Sequence, residues 1–307
     1  MRLHIEHTTQ YVYARPVTFG RHRLVVRPRE GHDLRVERMN LRIIPEPRLM
    51  WTRDIFGNSI ALVDGLPSAD TLTIISDVIV ERLAPFPARD FHEPWRVPFP
   101  PRYDAMELAV TGAYQAPAFV DDGPAVQAWM ARVLPIDTND AEGMMLALCE
   151  LIGKTVVYQR RSEKGVQSPA RTLALKSGSC RDMATLMLEA ARHLGVAARF
   201  SSGYLHCSAS RAGRGTTHAW TEVYLPTLGW RGFDPTVGGS ISRDHIVVGV
   251  SSHPRGVMPI SGAFSGTKVD CTAMHVSVKT EELPPSLAND AVDRSTTADA
   301  GALCSKP

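Results

Sequence analysis

Three observations predict an α+β fold. Residues 1–83 break into alternating segments separated by Pro, Gly and Asn turns, as strands do. From Asp104 the apolar residues change to a helical spacing. A cysteine at the head of one such helix is then followed by two alternating segments joined by turn residues, the mark of an antiparallel hairpin. At 307 residues the natural prior is two domains. The division predicted is a β-sandwich over 1–83, a Pro-rich linker over 84–103, a core of helices on an antiparallel sheet over 104–283, and a disordered tail over 284–307.

The opening Met1–His7 alternates and lacks an apolar signal region, so it reads as a strand. Strands are predicted at Leu3–Thr8, Arg23–Arg27, Asp33–Ile44, Leu49–Asp54, Ser59–Asp64 and Leu72–Leu83. Their number and spacing suggest a sandwich. Arg15, Arg21, Arg23, Arg27, Arg29, Arg35 and Arg38 alternate with apolar residues, which suits solvated strand faces better than an anion-binding patch. Prolines 85, 87, 94, 98, 100 and 101 make a stiff, extended connection able to dock on a neighbouring surface. Helices are predicted at Pro124–Leu134 and Asn139–Ile152, the second with Asn139 as N-cap. Tyr158–Ser168 reads as a surface loop, Thr172–Leu175 as a short helix, and Val196–Leu205 as a strand. Residues 206–215 read as a mobile loop bordering a cleft, and Val276–Leu283 as a closing strand. The Ser-, Ala- and Asp-rich end has no periodicity.

The informative helix begins in Ser177-Gly178-Ser179-Cys180-Arg181-Asp182. Met183, Leu186, Met187, Ala190 and Leu194 recur on one face. Ser179 is a suitable N-cap, Asp182 completes a box with it, and Gly195 ends the helix. Cys180 is thus placed at the first helical position, where unpaired N–H groups and the helix dipole favour an anion and hence a thiolate nucleophile.

Downstream, Thr217–Leu225 alternates, with His218, Trp220, Glu222 and Tyr224 on one face. Pro226-Thr227-Leu228-Gly229 is turn chemistry, and Trp230–Asp234 is a second strand stopped by Pro235. A thiol needs a base, and the base needs a group that fixes its tautomer and stabilises its charged form. Cys180, His218 and Asp234 supply these roles in chain order. A four-residue loop pairing Leu225 with Trp230 would put His218 and Asp234 on opposite faces, so the triad requires an odd-length loop or a bulge.

Gly178–Asp182, Ala197–Leu205, His218–Val223 and Gly229–Thr236 resemble, in this order, the blocks of the bacterial transglutaminase-like superfamily, whose members are often described as cysteine proteases. The N-terminal part is similar to the β-rich region that often precedes this core, through Tyr11-Val12-Tyr13, Pro16-Val17, His22-Arg23-Leu24, Arg27-Pro28-Arg29 and Asp54–Asn58. The resemblance implies a papain-like core and a thiol triad at Cys180, His218 and Asp234. It also implies a thiol-dependent amide hydrolase or acyl transferase acting on protein or peptide substrates through a thioester. The alternatives are a catalytically silent interaction module that keeps the fold, and a structural partner with the sandwich as its working surface.

Composition agrees with a soluble protein: 44% hydrophobic, 21% charged, net charge +2. That charge does not imply nucleic acid, and no run approaches the roughly 18 apolar residues of a membrane span. Five widely spaced cysteines fit a reducing cytoplasm better than a disulfide framework. Cys149 reads as core and Cys304 as incidental. No Cys-x-x-Cys or His-x-x-x-His spacing supports zinc, no Asp/Asn-rich loop suggests calcium, and no cofactor is expected. The backbone N–H of Cys180 is one natural oxyanion donor, Gln159 and Gln167 are candidates for a second, and Trp220 and Trp230 are expected to wall the cleft.

Overall fold

The computed structural model describes residues 1–83, 96–134, 138–161 and 163–285. Residues 84–95 of the predicted linker and 286–307 of the predicted disordered tail, with Cys304, lie outside these residues. Six strands come first: β1 (Arg2–Val17), β2 (Phe19–Leu24), β3 (Leu34–Ile44), β4 (Arg48–Arg53), β5 (Ser59–Asp64) and β6 (Ala69–Arg82). Helices α1 (Ala105–Gln115), α2 (Gly123–Val133) and α3 (Ala141–Thr155) follow, then β7 (Val157–Tyr158), α4 (Pro169–Leu175), β8 (Ser177–Gly178) and α5 (Cys180–His193). The remainder is β9 (Ala198–Leu205), α6 (Ser208–Arg211), β10 (His218–Leu225), β11 (Gly229–Asp234), β12 (Gly239–Ser240), β13 (His245–Ser251), β14 (Ile260–Phe264) and β15 (Cys271–Leu283).

Two antiparallel four-stranded sheets, ordered β15-β1-β6-β3 and β14-β2-β5-β4, form the sandwich. Period-two alternation on β1 sends Leu3, Ile5, His7 and Thr9 inward. Tyr13, Leu24, Ile43, Ala61, Val63, Leu72 and Ile74 from both sheets share one apolar core. The last two strands are a correction to the predicted boundary, which put everything from 104 to 283 in the core. β14 pairs with β2, and β15 runs along β1 from Leu283 opposite Arg2 to Cys271 opposite Tyr13. The long β1 strand would otherwise carry an unpaired edge, and β15 satisfies it.

The core is α5 laid on a five-stranded antiparallel sheet ordered β12-β11-β10-β9-β13. Every α5 residue from Asp182 to Arg192 is buried, because α2, α3 and α4 cover the sides the sheet does not. Ala219, Val223 and Leu225 of β10 face the helix, and the Thr221 hydroxyl donates to the Ala184 carbonyl at 2.7 Å. Tyr204, Ile246 and Val248 on the core sheet share a second apolar cluster with Leu3, Ile5, Val78 and Val278, which fastens the sandwich to the core.

Three local expectations change. The N-cap of α3 is Asp140, one residue beyond Asn139; its carboxylate accepts from the Gly143 N–H. The described end of the Pro-rich segment docks on the core: Phe99 N–H donates to the Asn139 carbonyl and Ala141 N–H to the Val97 carbonyl, while the Tyr103 hydroxyl accepts from Ala197 N–H. Residues 206–215 are tied to β15 and do not line the cavity that holds Cys180. The buried Ser210 hydroxyl bonds Thr280 of β15, and Gly215 bridges Val278.

One glycine is set by close approach. A methyl added at Gly203 would lie 2.0 Å from the Ile246 carbonyl oxygen and 2.9 Å from the Trp220 ring. Neither a backbone carbonyl nor a fully buried indole has room to retreat. Gly203→Ala is expected to destabilise the protein by about 3 kcal/mol, read as a lower denaturant midpoint; an unchanged midpoint would contradict this account of the packing.

Candidate active site

The start of α5 is held by one carboxylate. Asp182 Oδ2 accepts from the N–H and the hydroxyl of Ser179, each at 2.8 Å, which is the predicted backward half of the capping box. Arg161 donates to both carboxylate oxygens, at 2.7 and 3.2 Å, and Gln167 N–H adds a 2.6 Å bond. Burial opposes the charge on Asp182, but these bonds outweigh it and hold the carboxyl below its ordinary 3.8. Cys180 is therefore fixed at the first helical position, with its N–H among those that have no partner within the helix. The segment read as a surface loop is the clamp here: β7 pairs in parallel with β8, and Arg161 and Gln167 reach back to Asp182.

β10 and β11 pair Leu225 with Gly229 and Tyr224 with Trp230, leaving a three-residue loop with Thr227 at φ 69°. The loop is odd, as the triad requires. This register brings Asp234 opposite Trp220, on the same face as His218. His218 Nε2 lies 2.6 Å from Asp234 Oδ2. Cys180 and His218 line one cavity, and the thiol is near enough to act on the charge of the ring. They meet although α5 packs on the other face, because each stands at the end of its element. With Nε2 on the carboxylate, Nδ1 is left for the thiol.

Charges reinforce one another. Burial works against a protonated His218, but the Asp234 bond, then Cys180, push the ring up to about 10. Burial likewise opposes the Asp234 anion, yet bonds from His218, His245 and the Thr236 N–H hold it far below the ordinary 3.8. The pairing contributes stability that is lost below pH 3.8 as Asp234 takes a proton. It is fully present on the histidine side below pH 6.5 and is lost as pH rises through about 10.

His245 was not foreseen. It is buried at the head of β13, and its Nε2 lies 3.2 Å from the same Asp234 oxygen. Its Nδ1 accepts from Ser242 N–H at 3.1 Å, so the proton is on Nε2 and His245 donates to Asp234. A lone histidine opening an apolar strand (Ile246-Val247-Val248) is the one sequence signal that points to it. The ligand atoms of His218, Asp234 and His245 lie within 4.8 Å of one another, a set able to hold a metal ion. Here the Nε2 protons of both rings already point at the carboxylate.

The other expectations sort by position. Gln167 Nε2 is spent on the Ser177 carbonyl, and Gln159 is exposed and off the cavity wall, so neither is placed as an oxyanion donor. Trp220 is fully buried beneath the two imidazoles, and Trp230 stacks with Arg199 at 3.9 Å; neither lines the cavity. The walls near Cys180 are instead Tyr158, Phe200 and the stacked pair Phe119–His253.

Residues 128–235 match the family model of the transglutaminase-like superfamily, and residues 3–81 match that of the bacterial transglutaminase-like N-terminal region. The chain belongs to the transglutaminase-like superfamily. An uncharacterised protein of Mycobacterium leprae is 26% identical over 86% of this chain and 94% of its own length. One of Mycobacterium tuberculosis is 28% identical over 90% and 91%. A candidate cysteine protease from Cytophaga hutchinsonii shares the fold, with a TM-score of 0.68 at 17% identity over 93% of this chain and 92% of that one. The transglutaminase-like chain thus has a papain-like core with a β-sandwich beside it. No helix among its described residues is long and apolar enough to cross a membrane.

Proposed function

We propose that the protein is a thiol-dependent amide hydrolase or acyl transferase acting on protein or peptide substrates, with Cys180 as nucleophile, His218 as base and Asp234 as its orienting carboxylate. The observation that carries this reading is His218 bonded to the buried Asp234 on the wall of the cavity that Cys180 also lines. His218 Nδ1 takes the thiol proton, and the sulfur attacks the amide carbonyl carbon. The oxyanion that develops is met by the Cys180 N–H at the helix mouth. As the C–N bond breaks, His218 returns its proton to the leaving amine and a thioester remains. Water, or a second amine, then attacks the thioester, giving its proton to His218 and releasing the thiol. His245 is a positioning residue: it acts through Asp234 by donating to the oxygen that His218 also uses.

The test is incubation with a peptide library, with and without a primary amine, read by mass spectrometry. New termini or amine adducts are expected from the wild type and from none of the Cys180→Ala samples. Product formed equally by Cys180→Ala would sink the reading. For His245, His245→Phe removes the donor and is expected to lower kcat tenfold to a hundredfold, about 1.4–2.7 kcal/mol, with KM unchanged. His245→Gln, which keeps a donor at similar reach, is expected to recover most of that. Equal loss in both variants would mean that His245 serves packing alone.

A further inference from the structure

The cavity that opens on Cys180, about 1140 Å³, does not end with the core. It runs to the sandwich, where Tyr11, Tyr13, Phe264 and Met274 form its far wall. That is more room than a small ligand needs, and it suits an extended chain. Its charge is one-sided. Arg160, Lys164, Arg181 and Arg255 line it, and none of them forms an ion pair among the described residues. Arg161, the remaining arginine on the lining, is spent on Asp182, and the His218 ring is spent on Asp234. Glu163 is the one carboxylate on the lining, and it pairs with Arg161. Over the whole chain the charges nearly balance, with 34 Lys and Arg against 32 Asp and Glu, so this accumulation departs from the chain's average. The cations come from three separate segments: the clamp loop, the first turn of α5, and the turn at Pro254–Val257.

We infer that the cleft selects an acidic polypeptide segment bound in extended form, with Asp or Glu side chains close to the reactive amide and an apolar side chain against the sandwich wall. Unpaired cations around a concave site concentrate an anionic ligand and speed its encounter. A nucleic acid is also anionic, but a thiolate reacts at an acyl carbon, which the phosphodiester backbone lacks. The place of reaction rests on the reading of Cys180 as nucleophile; the charge selection rests on the cleft alone. The sandwich, on this account, is one wall of the substrate site.

Binding is measured with full-length Cys180→Ala by fluorescence anisotropy, using labelled peptides that share one Leu and differ only in Glu, Gln or Lys content, and an oligonucleotide of equal charge. The Glu peptide is expected to bind at least about tenfold tighter than the Gln peptide near 20 mM salt, with the margin shrinking near 200 mM. The pair Arg160→Glu and Arg255→Glu is expected to reverse the preference towards Lys. Equal affinity for Glu and Gln peptides, or tighter binding of the oligonucleotide, would overturn the inference. A second measurement separates it from the enzyme reading: alkylation of Cys180 in the otherwise native chain by iodoacetate and by neutral iodoacetamide. An iodoacetate-to-iodoacetamide rate ratio above that of free cysteine, lost in the charge-reversed pair, supports the inference. A thiol that reacts with iodoacetamide but gains nothing from iodoacetate counts against charge selection and leaves the nucleophile standing. A thiol inert to both, in a protein that still prefers the Glu peptide, supports the cleft and removes the nucleophile.

Discussion

His218→Ala is expected to lower kcat/KM at least about 1,000-fold on any amide substrate, and to slow alkylation of Cys180 in parallel. The ring sits between the thiol and a carboxylate held at 2.6 Å, so its loss removes the proton acceptor for attack and the proton donor for the leaving amine together. It also leaves Asp234, fully buried, with His245 as its remaining imidazole partner. The wild-type rate should fall on the basic side as His218 loses its proton near pH 10, and that limb should move to lower pH in Asp234→Asn, where the main group raising the ring is neutral. A variant that keeps full turnover without the imidazole, or a limb indifferent to Asp234→Asn, is the outcome that counts against the triad.

Asp182→Ala should have the largest effect on stability, about 3–5 kcal/mol. The carboxylate is fully buried and accepts five hydrogen bonds, from Arg161 twice, from Ser179 twice and from the Gln167 N–H. Removing it leaves the largely buried Arg161 guanidinium with only the exposed Glu163 as an ionic partner and opens the first turn of the helix that holds Cys180. Because the folded carboxyl titrates below 3.8, its contribution is present above that pH and disappears as pH falls through the folded value. A chemical denaturation series at pH 7 and at acid pH reads both effects. The wild-type and Ala midpoints should converge on acidification; a constant gap would mean that Asp182 stabilises by shape and not by charge.

Much of the site was legible because its signals are local. Ser179 and Asp182 stand three residues apart, Gly195 has the positive φ that a helix stop uses, and the parity argument on 225–230 demanded an odd loop, which Pro226, Thr227 and Leu228 form. Residues whose role depends on a distant partner were not legible. His245 sits on a strand at the far side of the sheet order from β11, and nothing in its own segment says that it bonds Asp234. Arg161 lay in a segment read as a surface loop, and Gln167 was a candidate oxyanion donor; the parallel pairing of β7 with β8 carries both onto Asp182 instead. On the polar side of α5, Glu189 and Arg192 are buried by distant partners: Glu189 accepts from the Ala118 N–H, and Arg192 donates to the Ala116, Ala198 and Ser252 carbonyls.

What the amino-acid sequence determined alone was therefore what lies within one turn or one hairpin: the helix start that presents Cys180, the hairpin that carries His218 and Asp234, and the run of short strands that precedes them. Tertiary structure alone decided that β15 returns to close the sandwich beside β1, that His245 completes the buried carboxylate, and that one cleft extends from the thiol to the sandwich wall. The physical reason is range. Capping, turn parity and periodicity act between neighbours in the chain, whereas edge pairing, burial of an ion pair and the shape of a cleft depend on which surfaces remain uncovered once everything else has packed.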